Sequence, residues 1–157
     1  PSLARRRRRR NKLARRRRRI KKWPAAEKDF LKALELKPDQ PSVLNYLGYS
    51  WIEKGKHLLK SKAMIQKAVK QRPRSGHIID SLGWAQYMLG DYNQAVKNLE
   101  RAVLISPADP TINEHLGDVY WQVGRKLEAG YQWERALSLE PEKKQMKSIK
   151  KKIKTGL

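Results

Sequence analysis

The chain has 157 residues, a formal charge of +22 and no cysteine. That length suffices for one domain with a real core, while the missing cysteines exclude a disulfide frame and a thiolate metal site. No apolar run approaches the eighteen or so residues of a membrane span, and no apolar segment follows the basic start as a signal peptide requires.

The excess charge sits at the two ends. Residues 1–22 hold 14 Lys and Arg and no acid, and residues 143–157 hold seven Lys and no acid; between them 16 basic residues face 15 acidic ones. A body this close to neutral gives no reason to assign nucleic-acid binding to the fold itself. The first element, "LARRRRRRNKLARRRRRIKK" at 3–22, has three readings: a basic arm for phosphate or anionic lipid, a degenerate helix at one end of the fold, or residues that do not report the native sequence. Like charges at i and i+4 oppose an isolated helix there. The chain opens on Pro1 rather than Met, which reads as a processed product or a fragment of a longer chain.

From residue 23 on, the chain is periodic. Pro38, Pro73, Pro107 and Pro141 are 35, 34 and 34 residues apart, and Gly48, Gly83 and Gly117 are 35 and 34 apart. "WPAAEKDFLKALELKP" supplies Ala26, Phe30, Ala33 and Pro38 as one amphipathic helix, with Pro24 at a favoured first helical position. Units at 41–75, 76–109 and 110–143 follow, each with two helical stretches of about thirteen residues broken near Gly55, Gly90 and Gly124 and stopped by a proline that cannot continue a helix. In "NQAVKNLERAVLI" Ala95, Val96, Leu99, Ala102 and Val103 form one buried stripe. Gly83 and Ala95 stand where two antiparallel helices must approach closely. The last stretch, 144–157, sets Met146, Ile149 and Ile153 on one face among lysines. It is expected to cap the apolar end of a stack, with weak binding to an anionic surface as the alternative.

These markers resemble the tetratricopeptide repeat, W-x2-L-G-x2-Y then A-x3-F then P over 34 residues. The third unit matches with Ile79, Leu82, Gly83, Gln86, Ala95, Leu99 and Pro107. The fourth matches with Asn113, Leu116, Gly117, Tyr120, Ala129, Trp133 and Pro141, and the second with Leu44, Leu47, Gly48, Trp51, Ser61, Ile65 and Pro73. Gln86, Asn113 and Ser61 depart from the pattern without threatening it. One period before Gly48 lies Ala14 after Leu13, so the arginines at 1–22 fill the slot of a first helix, and 23–40 is the second helix of that unit. The fold class expected is all-α: a right-handed superhelical solenoid of antiparallel helix pairs with a C-terminal capping helix. The segment from Ser81 to Ala129 particularly resembles the C-terminal repeats of longer bacterial proteins of this family, as in alphaproteobacteria; cytoplasm and cell envelope both stay open.

The resemblance implies a concave groove lined by the first helix of each unit, receiving a protein or peptide. The residues placed there are Asn45, Tyr49 and Ile52; Asp80, Trp84 and Tyr87; and Glu114, Asp118 and Trp121. Aromatics among carboxylates suit a peptide with apolar anchors and basic flanks. The bland alternative is that Trp84 and Trp121 only pack between neighbouring helices. Catalysis has little support: His57, His77 and His115 lack ligand spacing and read as surface or packing residues, and there is no Gly-rich phosphate loop and no nucleophile motif. A non-catalytic interaction scaffold is therefore expected, without metal or cofactor. Polyanion binding through the basic ends, with nucleic acid a partner only if the arginine run is native, and head-to-tail self-association of the arginine-rich end with an acidic groove are the competing readings.

Overall fold

The computed structural model describes residues 22–157, so the arginine-rich slot at 1–21 lies outside the described residues. Among the described residues there are eight helices and no strand. They are α1 (22–36), α2 (Pro41–Glu53), α3 (Leu58–Gln71), α4 (Gly76–Met88), α5 (Tyr92–Ile105), α6 (Pro110–Gln122), α7 (Lys126–Ser138) and α8 (Lys143–Thr155).

Local chemistry sets the ends. Pro41 and Pro110 stand in the first turn of α2 and α6, where a missing N–H costs nothing. Asp109 Oδ1 accepts from the backbone N–H of Thr111 at 2.8 Å and of Ile112 at 3.1 Å, and Ser75 Oγ accepts from that of Ile78 at 3.3 Å. After α2, α4 and α6 the chain passes through Gly55, Gly90 and Gly124 at φ of +65°, +81° and +84°, a region nearly closed to side chains. The following N–H groups then return to the helix, as Asp91 N–H does to Gln86 O at 2.9 Å, which satisfies the last carbonyls.

Each of α2, α4 and α6 packs on the helix that follows it, and α2 lies beside α4 and α4 beside α6. The glycines make the pairing close. A Cβ on Gly48 would lie 2.9 Å from Ile65 Cγ1, one on Gly83 2.7 Å from Leu99 Cγ, and one on Gly117 2.5 Å from the Trp133 ring. Ile65, Leu99 and Trp133 are themselves one period apart, so each unit presses one large side chain against one glycine. Ala95 and Ala129 are wholly buried at the same seams, as are Ala68, Ala102 and Ala136. Ser61, at the corresponding small position, is also fully buried, and its hydroxyl has no partner.

The core has no single centre. It runs along the stack as successive clusters, from Leu44, Leu47 and Trp51 with Phe30 and Leu34 of α1, through Ile52, Ile65 and Leu82 and then Ile79, Ala102 and Ile112, to Leu116, Val119, Trp133 and Ile149. Among the described residues the packing runs from each helix to its neighbours along the stack, the arrangement of a solenoid. The terminal α8 packs on α7 and buries Ile149, with Met146 and Ile153 half-buried beside it. Pro38, Pro73 and Pro107 are exposed in the links between units, whereas Pro141 is buried.

Candidate functional site

The residues expected to face a ligand all lie on α2, α4 and α6, yet the structure divides them into a buried polar floor and a half-exposed aromatic layer. Trp121 stands apart from both, and so does Ile52, which is fully buried with Ile65, Leu82 and Ala85 and offers nothing to a ligand.

The floor is a ladder of polar links between successive inner helices. Asn45 Nδ2 lies 3.4 Å from His77 Nε2, joining α2 to α4, while the Asn45 carbonyl oxygen is buried without a partner. Asp80 Oδ1 lies 2.8 Å from His115 Nδ1, joining α4 to α6. Lys152 of α8 donates to Glu114 Oε1 at 2.7 Å and to Asp118 Oδ2 at 2.8 Å, joining α6 to α8. Gln145 also donates to Glu114 Oε2 at 2.7 Å, and Trp133 Nε1 donates to Asp118 Oδ1 at 2.9 Å. Buried polar groups are costly unless bonded, and here each carboxylate has a partner about one repeat away. The three carboxylates expected to meet basic flanks of a ligand are thus already engaged inside the chain.

Titration reflects this. Burial opposes the charge on Lys152, but the charges and hydrogen bonds of Asp118 and Glu114 outweigh it and hold the ammonium above its ordinary value. Burial raises the Asp118 carboxyl, only partly offset by Lys152 and the Trp133 N–H. Burial also opposes charge on His115, yet Asp80, with help from Asp118 and Glu114, holds its imidazole above the usual histidine value.

Over this floor sit Tyr49, Trp84 and Tyr87, all half-buried. The Trp84 ring stacks on His115 with centroids 4.0 Å apart and planes at 14°, and on Tyr87 at 4.6 Å and 24°. The Tyr49 ring lies 6.5 Å from the His115 ring, tilted at 45°. Burial, then the charge of exposed Glu53 and of Asp80, pushes the Tyr49 hydroxyl far above its ordinary range. Tyr87 Oη accepts from Gln122 Nε2 at 3.3 Å. Trp121 stands apart from this group. Its ring tilts against Trp133 at 5.6 Å, lies under the Lys126 ammonium at 4.8 Å and is covered by Gly156 after α8.

His115 and Lys152 are the side chains that reading the sequence residue by residue missed. Their signal was complementarity at one period: Lys152 lies 34 residues after Asp118, and His115 lies 35 after Asp80. His57 and His77 are exposed. Among the described residues no three His, Asp or Glu side chains converge as a metal would need, and no helix is long and apolar enough to cross a membrane.

Comparison with known proteins agrees with the repeat architecture. A family model described as "TPR repeat" matches residues 83–124. The TPR repeat-containing protein PA4667 of Pseudomonas aeruginosa is 33% identical over 92 residues, 59% of this chain; the alignment spans 15% of that relative's length. The crystal structure of MamA superposes with a TM-score of 0.66 at 21% identity over 90% of both chains. The type III secretion translocator chaperone SycD of Yersinia enterocolitica gives 0.66 at 17% identity, over 75% of this chain and 83% of its own.

Proposed function

Because the chain carries tetratricopeptide repeats, we propose that it is a non-catalytic scaffold that binds a segment of another protein along the inner face of α2, α4 and α6. The units 41–75, 76–109 and 110–143 each contribute one helix to that face. The observation that carries this reading is the aromatic layer. Tyr49, Trp84 and Tyr87 stay partly exposed over a floor rich in carboxylate. Partly exposed aromatic side chains held rigid by stacking are favourable anchors for a partner, because little side-chain entropy remains to be lost.

The charge pattern selects the ligand. Glu53, Asp80, Glu114 and Asp118 all act on this region, against Lys152 and the protonated form of His115. The field is therefore acidic, and it is least compensated at the α2–α4 end, since Lys152 is committed to α6. A Lys or Arg there can lie against the exposed part of Tyr49 as well, so the ligand is an apolar segment with a basic residue. The likeness in fold to a secretion chaperone supports protein binding without naming a partner.

Selection of peptides from a random library on the full chain tests the proposal. Enriched sequences should pair aliphatic or aromatic residues with Lys or Arg, and Trp84→Ala should weaken them by about tenfold or more, the effect of losing a central aromatic anchor. Enrichment indifferent to Trp84→Ala and governed only by salt would move the binding to the basic ends and refute the groove.

A further inference from the structure

The seven lysines of α8 divide sharply. Lys152 is turned inward onto Glu114 and Asp118, while Lys143, Lys144, Lys147, Lys150, Lys151 and Lys154 are exposed and form no ion pair among the described residues. At 100° per residue those six fall within an arc of about 120°, opposite Ile149, and at 1.5 Å per residue they run for about 16 Å. The repeat register gives this arc a meaning. One period earlier, Lys147, Lys150, Lys151 and Lys154 correspond to Asn113, Leu116, Gly117 and Tyr120 of α6, the face on which α6 receives α7. In α8, then, the corresponding surface has become lysine throughout, and an apolar helix packed there would bury ammonium groups without partners.

Capping accounts for a polar face but not for one of a single sign. A cap of mixed charge would keep the end soluble and add favourable pairs, whereas Lys143 with Lys147, Lys147 with Lys151 and Lys150 with Lys154 repel at i, i+4. Residues 143–157 contain no acid, no arginine and no aromatic residue. Arginine is the residue suited to forked contacts with a phosphate backbone, and aromatics are what single-stranded nucleic acid stacks on; the stripe has neither. With no large apolar side chain in the arc, insertion is excluded too. The stripe is a straight row of hydrated point charges, and it matches the diffuse negative surface of lipid headgroups.

We propose that the outer face of α8 is an adsorption surface for an anionic membrane, held at headgroup level by its lysines while Ile149 and Lys152 keep the helix docked on the repeats. This surface is separate from the inner face and can be occupied while that face holds a protein ligand.

The test uses the full chain with vesicles of phosphatidylcholine, with and without phosphatidylserine, and reads both co-sedimentation and lysine acylation by mass spectrometry. The acylation pattern is specific to lysine, so adsorption through the arginine run does not mimic it. Phosphatidylserine should shield Lys147, Lys150, Lys151 and Lys154. Replacing these four by Gln should weaken vesicle binding by about tenfold or more, given the contribution of each basic residue near such a surface. The substitutions are at exposed positions and relieve repulsion, and a thermal melt of the variant checks that it folds. Unchanged acylation with unchanged binding overturns the proposal. Shielding by duplex DNA but not by phosphatidylserine also overturns it, in favour of nucleic acid.

Discussion

Lys152→Met isolates the link that holds the last helix. The ammonium meets two carboxylates whose side chains are 11% and 6% exposed, and its own side chain is 17% exposed. Removing the cation leaves Glu114 and Asp118 without it in a largely buried site, which costs about 3–5 kcal/mol when a buried pair is broken on one side. Because repeats unfold from their ends, the loss should show first as undocking of α8, taking Ile149 out of the core. Amide hydrogen exchange is the assay. Exchange in α8 should accelerate by on the order of 100-fold or more, since each 1.4 kcal/mol is about tenfold, while α4 and α5 keep their protection. Adding Glu114→Gln and Asp118→Asn to Lys152→Met should restore much of it, because the uncompensated charges are then gone. A single-variant effect below about tenfold would refute the reasoning and class the cluster with solvated surface pairs worth about 0–1 kcal/mol.

Two further outcomes follow from the packing and the titration. Gly117→Ala should cost about 1–3 kcal/mol in urea denaturation, as expected of overpacking, because the added methyl meets the Trp133 ring at 2.5 Å and that ring is 1% exposed and tied to Asp118. Gly130→Ala in α7, where a Cβ meets nothing within 4 Å, should instead add about 0.4–1 kcal/mol by restricting the unfolded chain; equal effects at the two sites would contradict the close-approach argument. The His115 resonance should titrate above its ordinary 6.5. A raised histidine value contributes stability that is fully present below about pH 6.5 and is lost as pH rises through the folded value. Asp80→Asn should lower the midpoint and abolish that increment, so wild type and variant should differ most at the acid end; an unchanged midpoint would mean that Asp80 does not set it.

The repeat was legible because its causes are local and recur. Gly48, Gly83 and Gly117 mark helix pairs too close for a side chain, Gly55, Gly90 and Gly124 mark turns at positive φ, and prolines mark the links; each reports a steric demand that one residue type meets. Those demands determined the fold class and the helix order, and the apolar face of Met146, Ile149 and Ile153 marked the last helix as one that docks on the stack. Which candidate residues stay open to a ligand was decided elsewhere. Asp80, Glu114 and Asp118 look in sequence like acids lining a groove, and only their distance from His115 and Lys152 shows them to be engaged. The same holds for Ile52, which helical spacing puts one turn from Tyr49 but which the neighbouring helices enclose on all sides. Helical period fixes the direction of a side chain from its own axis, whereas its partner depends on how two helices a whole repeat apart are set side by side. The sequence by itself therefore determined the stack and its spacing; the tertiary structure alone decided which charges the stack neutralises and which aromatic faces it leaves uncovered.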